Sequence, residues 1–538
     1  MPPSAPTNND RMTQQVCRVE SNLKSIRDLE DQIREHEMAI VKLKRARNSF
    51  LSVSKLPPEI LGDIFRWNVV LKADFERLGE GSHNFLLVCH HWYEVASCTP
   101  ELWSFWGDNL YDWARRHLRH PKVPLDLVFN GLRLIGGTLD DSLKNTLHDR
   151  AARDTIRRIH LTGEDSETLD SIISPLAGCE EIRTSSVESV VLRDMTEEIS
   201  VDVSDFLAYY RFPKLQRLEL ENCTISSWDL IASKTSVLTA LTLFISYPSP
   251  TITSPQILSL LRSNPSLREI SLYGCSVPDD GGCKSGPRVT LAHLKELALA
   301  GHPQDVFALL HQLDYPTNMD NLVLNLMDST VEDISETIGP FIRDYLRRRG
   351  KSQTGLGLYI SSEESIELRV EDIGVAGFSA PEPLWLNTLV ETIIHLDPMP
   401  PADVLEEALL DLIAYVPREE IVFFQACNST ISADVMSTQL PYLVGIRFEE
   451  TPLDVAFPKS TLDHGEIFPH LQHLSLHHVV IRRGGWSPLT TFLDHLAASG
   501  KRLDTLEIHG FCDMHPGLEE RVRRAVREFR VQQSYSRA

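Results

Sequence analysis

The chain has 538 residues, 42% of them apolar and 24% charged, with 53 Lys plus Arg against 75 Asp plus Glu, a formal charge of −22. That balance predicts a folded chain with disorder only at its ends. So much negative charge repels phosphate backbones and anionic bilayers, which sets aside nucleic acid and membranes as main partners. No apolar run approaches the ~18 residues that span a bilayer, and the polar start MPPSAPTNNDRMTQQ predicts no secretory signal. The nine cysteines are scattered, odd in number and without a C-x-x-C pair, so reduced thiols and a cytoplasmic or nuclear location are expected.

Residues 1–12, rich in Pro, Asn and Ser, read as a disordered tail. Residues 13–50 contain no Pro or Gly and predict one helix. Val19, Ile26, Ile33 and Ile40 recur every seventh residue, with Leu29, Leu43 and Phe50 at the intervening seam positions and Asn22 and His36 interrupting them. A coiled-coil dimer is one reading of this short, broken seam; a helix packed back on its own protein is the favoured one.

In the segment 51–110, Pro57 forces Leu56 out of helical geometry, while Pro58 suits the first turn of a new helix carrying Ile60, Leu61, Ile64 and Phe65. A mixed stretch over 67–83 follows. A second helix is expected from Asn84, with Phe85, Leu87, Val88, Cys89 and Trp92, ending at Thr99-Pro100 before Leu102-Trp103. Leu56-Pro-Pro-Glu-Ile-Leu61, Ile64-Phe65, Leu87-Val-Cys-His-His-Trp92 and Pro100-Glu-Leu-Trp103 together resemble the F-box, most closely that of the family expanded in mushroom-forming fungi. The resemblance implies a small all-α F-box domain of three short helices, docking on a Skp-type adaptor and through it a cullin. The anchors it implies are Leu56, Pro57, Pro58, Ile60, Leu61, Ile64, Phe65, Leu87, Val88 and Trp92. The connection between Arg66 and Asn84 is longer than in the family pattern.

Residues 111–155 read as a linker or N-terminal cap, and 156–515 repeat themselves. The template L-x-x-L-x-L, with any aliphatic residue or Phe allowed, starts at Ile156, Val187, Leu215, Leu238, Leu267, Leu294, Met319, Leu443, Leu471 and Leu503. Weaker matches sit at Ile366-Leu368, Ile394-Leu396 and Ile421-Phe423. From 187 to 319 the starts differ by 28, 23, 29, 27 and 25 residues, the interval of leucine-rich repeats. The final two apolar residues of each match share one strand face. Between the strands, Ser254–Asn264 (Ser254 as cap), Ala402–Val416 and Thr490–Ala498 read as outer helices. The expected class is an α/β solenoid within an α+β chain: a horseshoe with a parallel inner sheet and outer helices. Residues 516–538 read as a capping helix bearing Arg521, Arg523, Arg524, Arg527 and Arg530.

No phosphate-binding loop, dinucleotide loop, nucleophile elbow or H-E-x-x-H is present, so no catalytic residue and no cofactor is assigned. His473 and His477 share a strand face and could clip a transition metal, but no Cys or carboxylate completes a set, so no metal is expected. Target-binding candidates on the concave face are Glu219, Glu221, Glu269, Tyr273, Arg447, Glu449, His473, His477, Glu507 and His509. Taken together, these features predict a non-catalytic adaptor for an unidentified target, or else a repeat scaffold dimerising through its N-terminal helix.

Overall fold

The structure, a computed structural model, describes residues 8–74, 84–103, 105–106, 124–132, 155–163, 169–170, 173, 186–195, 201–209, 212–226, 228–244, 252–274, 287–350, 355–362, 365–373, 385–396, 401–428, 431, 433–458, 468–481, 485–510 and 516–532. It divides into two compact units, residues 1–130 and 131–538. Among the described residues no helix is long and apolar enough to cross a membrane.

The first unit opens with α1 (Asn8–Ser49), 42 residues long and so ~63 Å at the α-helical rise. It starts inside the segment expected to be disordered; residues 1–7 of that tail lie outside the described set. From Lys24 onward the side chains of α1 stand in solvent, including Ile26, Leu29, Ile33, Ile40 and Leu43. A 3-10 turn (Ser52–Lys55) leads to α2 (Pro58–Asp74), and a second turn (Asn84–Leu87) to α3 (His90–Ser97). Thus α2 continues through part of the stretch expected to be irregular, and α3 starts six residues after the expected Asn84. Nor is the unit purely helical: β1 (Phe105–Trp106) pairs in parallel with β2 (Leu125–Leu132), Phe105 opposite Asp126.

The core of this unit is built from Leu61, Phe65, Phe85, Leu86, Val95, Ala96, Leu102, Trp103 and Val128, with Trp92 packed against it. The Phe65 ring stacks on Phe85 at 4.5 Å and meets Trp92 at 5.1 Å. Trp103 Nε1 donates to the Ala96 carbonyl at 2.9 Å, which satisfies the buried indole. At Gly62 the approach is close: a Cβ there would lie 3.1 Å from Thr99 Oγ1.

The second unit carries β3 (Ile156–Gly163), β4 (Ser189–Asp194), β5 (Val201–Asp202), β6 (Arg217–Glu221), β7 (Cys223–Thr224), β8 (Ala240–Phe244), β9 (Glu269–Tyr273), β10 (Val289–Thr290), β11 (Glu296–Gly301) and β12 (Leu313–Asp314). Then come β13 (Asn321–Ser329), β14 (Leu356–Ser362), β15 (Ile366–Ile373), β16 (Trp385–Leu396), β17 (Ile421–Cys427), β18 (Gly445–Glu449), β19 (His473–His477), β20 (Leu503–His509) and β21 (Val526–Gln532). From β3 to β13 the main sheet grows in chain order by parallel pairing, passing over β5, β7, β10 and β12. The small strands pair among themselves as β5–β7 and β10–β12. Helices such as Ser254–Ser263, Pro303–His311, Ala402–Tyr415 and Ser487–Ala498 connect the strands. For the first of these the N-cap is Thr253, one residue earlier than expected, with Gln256 Oε1 accepting from its backbone N–H at 3.0 Å.

Every full template match lands on a strand, and its last two apolar residues are buried together: Leu218 with Leu220, Leu241 with Leu243, Leu474 with Leu476, Leu506 with Ile508. The leading residues Leu215, Leu238, Leu267 and Leu294 are buried as well. At ~1.5–3 kcal/mol per fully buried aliphatic side chain, this repeated triad is the main reason that the strands stay in register.

Two weak matches behave differently. After β13 the strand order becomes β16, β15, β14, β17, with β15 antiparallel to both neighbours. Ile366-Leu368 is therefore not a repeat unit, and the sheet is not wholly parallel. Only residues 363–365 separate β14 from β15, far short of the dozen or so that a parallel crossover needs. In β17 the register slips by one beside Leu356. This bulge turns Phe424 and Ala426 inward, opposite Ile446 and Phe448, and leaves Phe423 on the other face. Beyond β18 pairing is parallel again to the last strand. The expected terminal helix ends at Ala525, and Arg527 and Arg530 lie on β21.

Candidate functional site

In the first unit, α2 carries two apolar stripes one residue apart. Leu61 and Phe65 point inward at 0% and 2% exposure, while Ile60, Ile64 and Trp67 are 48%, 47% and 63% exposed. Positions i, i+4 and i+7 lie on one helix face, so these three form a continuous outward ridge. Pro57 and Pro58 are exposed beside it, Leu56 is half-buried, and the turn before α3 exposes Leu87 (76%) and Val88 (55%). Of the ten implied anchors, Leu61 and Phe65 lie in the core of this unit rather than on the ridge. Trp92 is half-buried against that core. The sequence reading missed Trp67, although its spacing from Ile60 and Ile64 was available.

In the second unit the sheet face opposite the Leu/Ile core carries polar side chains in rows that cross the strands. One row runs Tyr359, Gln425, Arg447, Ser475, Glu507, Arg530, and the next Ser361, Cys427, Glu449, His477, His509, Gln532. All ten target-binding candidates fall on this face. Glu219, Glu221, Glu269 and Tyr273 lie in the first half of the sheet, and the other six on β18–β20.

Most of these groups hold one another. Glu219 accepts from Arg193 Nε at 2.8 Å. Arg447 Nη2 lies 2.8 Å from His477 Nε2 and 3.3 Å from its Nδ1, and the His477 ring stacks on His509 at 4.0 Å. Arg530 Nη1 donates to Glu507 Oε1 at 3.1 Å, and His473 Nδ1 pairs with Thr505 Oγ1 at 2.6 Å. Arg369 bridges Glu367 and Glu391 and lies 5.1 Å from the Tyr359 ring centre. Sequence alternation placed the ten candidates on one face but could not supply the partners Arg193, Arg369, Tyr359, Thr505 and Arg530. Among the described residues no group of three or more His, Cys, Asp or Glu is placed to hold a metal ion.

Burial, then the charge of Arg447 and the neighbouring His509 and His478, pull the His477 pKa down to about 3 from its ordinary 6.5. An unfolded chain takes this proton near pH 6.5, whereas the folded chain refuses it until about pH 3. Between those values the unfolded state binds more protons, so the contribution of His477 to stability, complete above pH 6.5, falls as the solution is acidified. The slope is at most ~1.4 kcal/mol per pH unit for one proton. We expect denaturation of His477→Gln to show a flatter acid limb between pH 6.5 and 4 than the parent; an identical limb would mean that the native imidazole titrates normally.

On the polar face Ser475 Oγ lies 2.9 Å from His477 Nε2. Compared with known proteins, the chain matches no family model, and no curated protein is significantly similar to it.

Proposed function

We propose that the chain is the substrate-recognition subunit of a Skp–cullin–F-box ubiquitin ligase, docking on a Skp-type adaptor through the 57–88 apolar ridge and holding a target protein on the polar face of its sheet. The observation that carries this reading is the division of α2 into a buried Leu61/Phe65 stripe and an exposed Ile60/Ile64/Trp67 stripe beside Pro57, Pro58, Leu87 and Val88. Contiguous exposed apolar surface marks a binding site, and here it coincides with the residues that resemble the F-box edge. On this reading the sheet and its helices form a leucine-rich-repeat horseshoe whose concave face meets the target. The chain then supplies proximity rather than chemistry. The test is co-purification of the full chain with a recombinant Skp-type adaptor; failure to associate, under conditions where an established F-box protein does, overturns it.

The exposed seam of α1 favours a second, compatible reading in which two copies of the chain pair along that helix. Ile26, Ile33 and Ile40 occupy one heptad position and Leu29 and Leu43 the other, the β-branched and Leu arrangement that favours parallel two-stranded coiled coils. Light scattering on the full chain is expected to give a dimer, and Ile33→Asp with Ile40→Asp a monomer of unchanged helicity. A monomeric parent removes this reading and leaves the adaptor proposal intact.

A further inference from the structure

A cavity of about 350 Å³ opens in the second unit between the helix Pro303–His311, β12 and the helical segment 334–349. That volume is at the lower end for small-molecule pockets. One wall is aromatic: Phe307 meets Phe341 edge-on at 5.2 Å, and Phe341 stacks on Tyr345 at 6.4 Å. Charges of both signs also line it, Arg288 and Arg348 against Asp314, Glu336 and Asp344. Among the described residues neither arginine forms an ion pair with a carboxylate, although the acids line the same cavity. Asp344 is instead paired, loosely at 3.8 Å, with Arg343.

Two further features make this more than a surface dimple. Residues Ile334–Ile338 form a single π-helical turn, the kind of insertion that recurs at functional sites, and it is this turn that carries Glu336 and Thr337 into the lining. Tyr345 is 3% exposed, and its buried hydroxyl has no hydrogen-bond partner among the described residues. Burial raises its pKa to about 12, so it remains a phenol able to donate. Burial also raises the Tyr315 pKa, opposed by the charges of Arg348 and Arg288, and all three residues line the cavity.

We propose that this pocket binds a free aromatic amino acid, with its ring against Phe307, Phe341 and Tyr345, its carboxylate at Arg288 and Arg348, and its ammonium at Glu336 and its neighbouring acids. A ligand carrying one sign alone would leave half of the lining facing its own charge. A zwitterion with an aromatic ring answers all three parts of the wall. The inference does not depend on the ligase reading, since the pocket shares no residue with either of the faces described above.

The experiment is calorimetric titration of the full chain with L-phenylalanine, 3-phenylpropionate and 2-phenylethylamine. Phenylalanine is expected to bind with Kd below about 1 mM, and each one-charge analogue at least about tenfold more weakly. Arg288→Gln with Arg348→Gln, both at exposed positions, should weaken phenylalanine by at least about tenfold while leaving 2-phenylethylamine unchanged. Glu336→Gln with Asp344→Asn should do the reverse, sparing 3-phenylpropionate. Equal binding of the three compounds, no binding of phenylalanine at all, or indifference of a correctly folded arginine variant to the carboxylate would each overturn the proposal.

Discussion

Replacing Ile60 and Ile64 together by Asp is expected to abolish association with a Skp-type adaptor and to leave the unfolding transition where it was. Both side chains are close to half exposed, so a carboxylate at either position stays hydrated in the free chain and costs the fold little. In a complex the same carboxylates would be carried into an apolar interface without partners. Central interface anchors contribute ~2 kcal/mol or more each, so a loss of about 3 kcal/mol, over a hundredfold in Kd, is the conservative expectation. The control is one residue away. Leu61→Ala removes a fully buried side chain and should destabilise the first unit by ~2–5 kcal/mol, reducing adaptor binding only by reducing the folded fraction. Equal, purely structural effects of the two changes would show that the ridge is not an interface.

Gly339→Ala is expected to be the most damaging single methyl addition among the described glycines of the larger unit. Gly339 opens the helix Gly339–Arg349 with ordinary helical backbone angles, so the residue is not there for conformational freedom. It is there for space: a Cβ would lie 2.1 Å from Cδ2 of the Tyr415 ring. Tyr415 is itself tied down, donating from its hydroxyl to the Ser335 carbonyl at 2.8 Å with Arg343 over its ring. The ring must move and lose that bond, or the helix must shift. Overpacking of this kind typically costs ~1–3 kcal/mol, and the depth of the overlap points to the upper end. Denaturant titration of Gly339→Ala against Gly339→Ala with Tyr415→Ala checks it. The pair should be markedly less destabilised than the sum of its singles, because the second change vacates the space that the first one needs.

The amino-acid pattern carried the strands well where three conditions held together: an aliphatic triad, a spacing near the repeat length, and enough intervening chain for a crossover. Leu215-Leu218-Leu220 meets all three. Ile366-Leu368 lacks the leading apolar residue of the triad, where Glu363 stands instead, and only three residues separate its strand from β14. Ile421-Phe423 failed for a subtler reason. A bulge beside Val422 exchanges the two faces of β17 part-way along, and alternation cannot reveal an extra residue when Val422, Phe423 and Phe424 are all apolar. The same ambiguity applies to α2. Ile60/Ile64 and Leu61/Phe65 have identical spacing, and only the packing of Phe85, Val95 and Trp103 decides which pair is inside. For the polar face, alternation sorted residues by side but not by row, since rows depend on register between strands distant in sequence, as for Tyr359 opposite Gln425 and Ser475 opposite Glu507. The cavity at Tyr345 left no trace in the sequence, because its lining comes from three separate stretches, Arg288, 307–317 and 336–348.

The interposed hairpin also governs how the chain assembles as it leaves the ribosome. Up to β13 each new strand docks on the one made just before it, so the array can lengthen one unit at a time, as repeat proteins do. At β13 that zipper stops. Leu322 must wait for Val390, while β14, made first, reserves its outer edge for β17. Neither the edge of β13 nor that of β14 is closed until β16 and β17 have emerged. Everything from Asn321 to Cys427 therefore condenses as one block, with the higher loop-closure cost that long-range pairing carries. Truncations ending between Leu356 and Leu396 should leave the edges of both β13 and β14 open and aggregate, whereas those ending after Ser329 and before Leu356 need only hide the edge of β13. Among the described strands this is the place where synthesis must outrun folding, and it lies in the middle of the sheet.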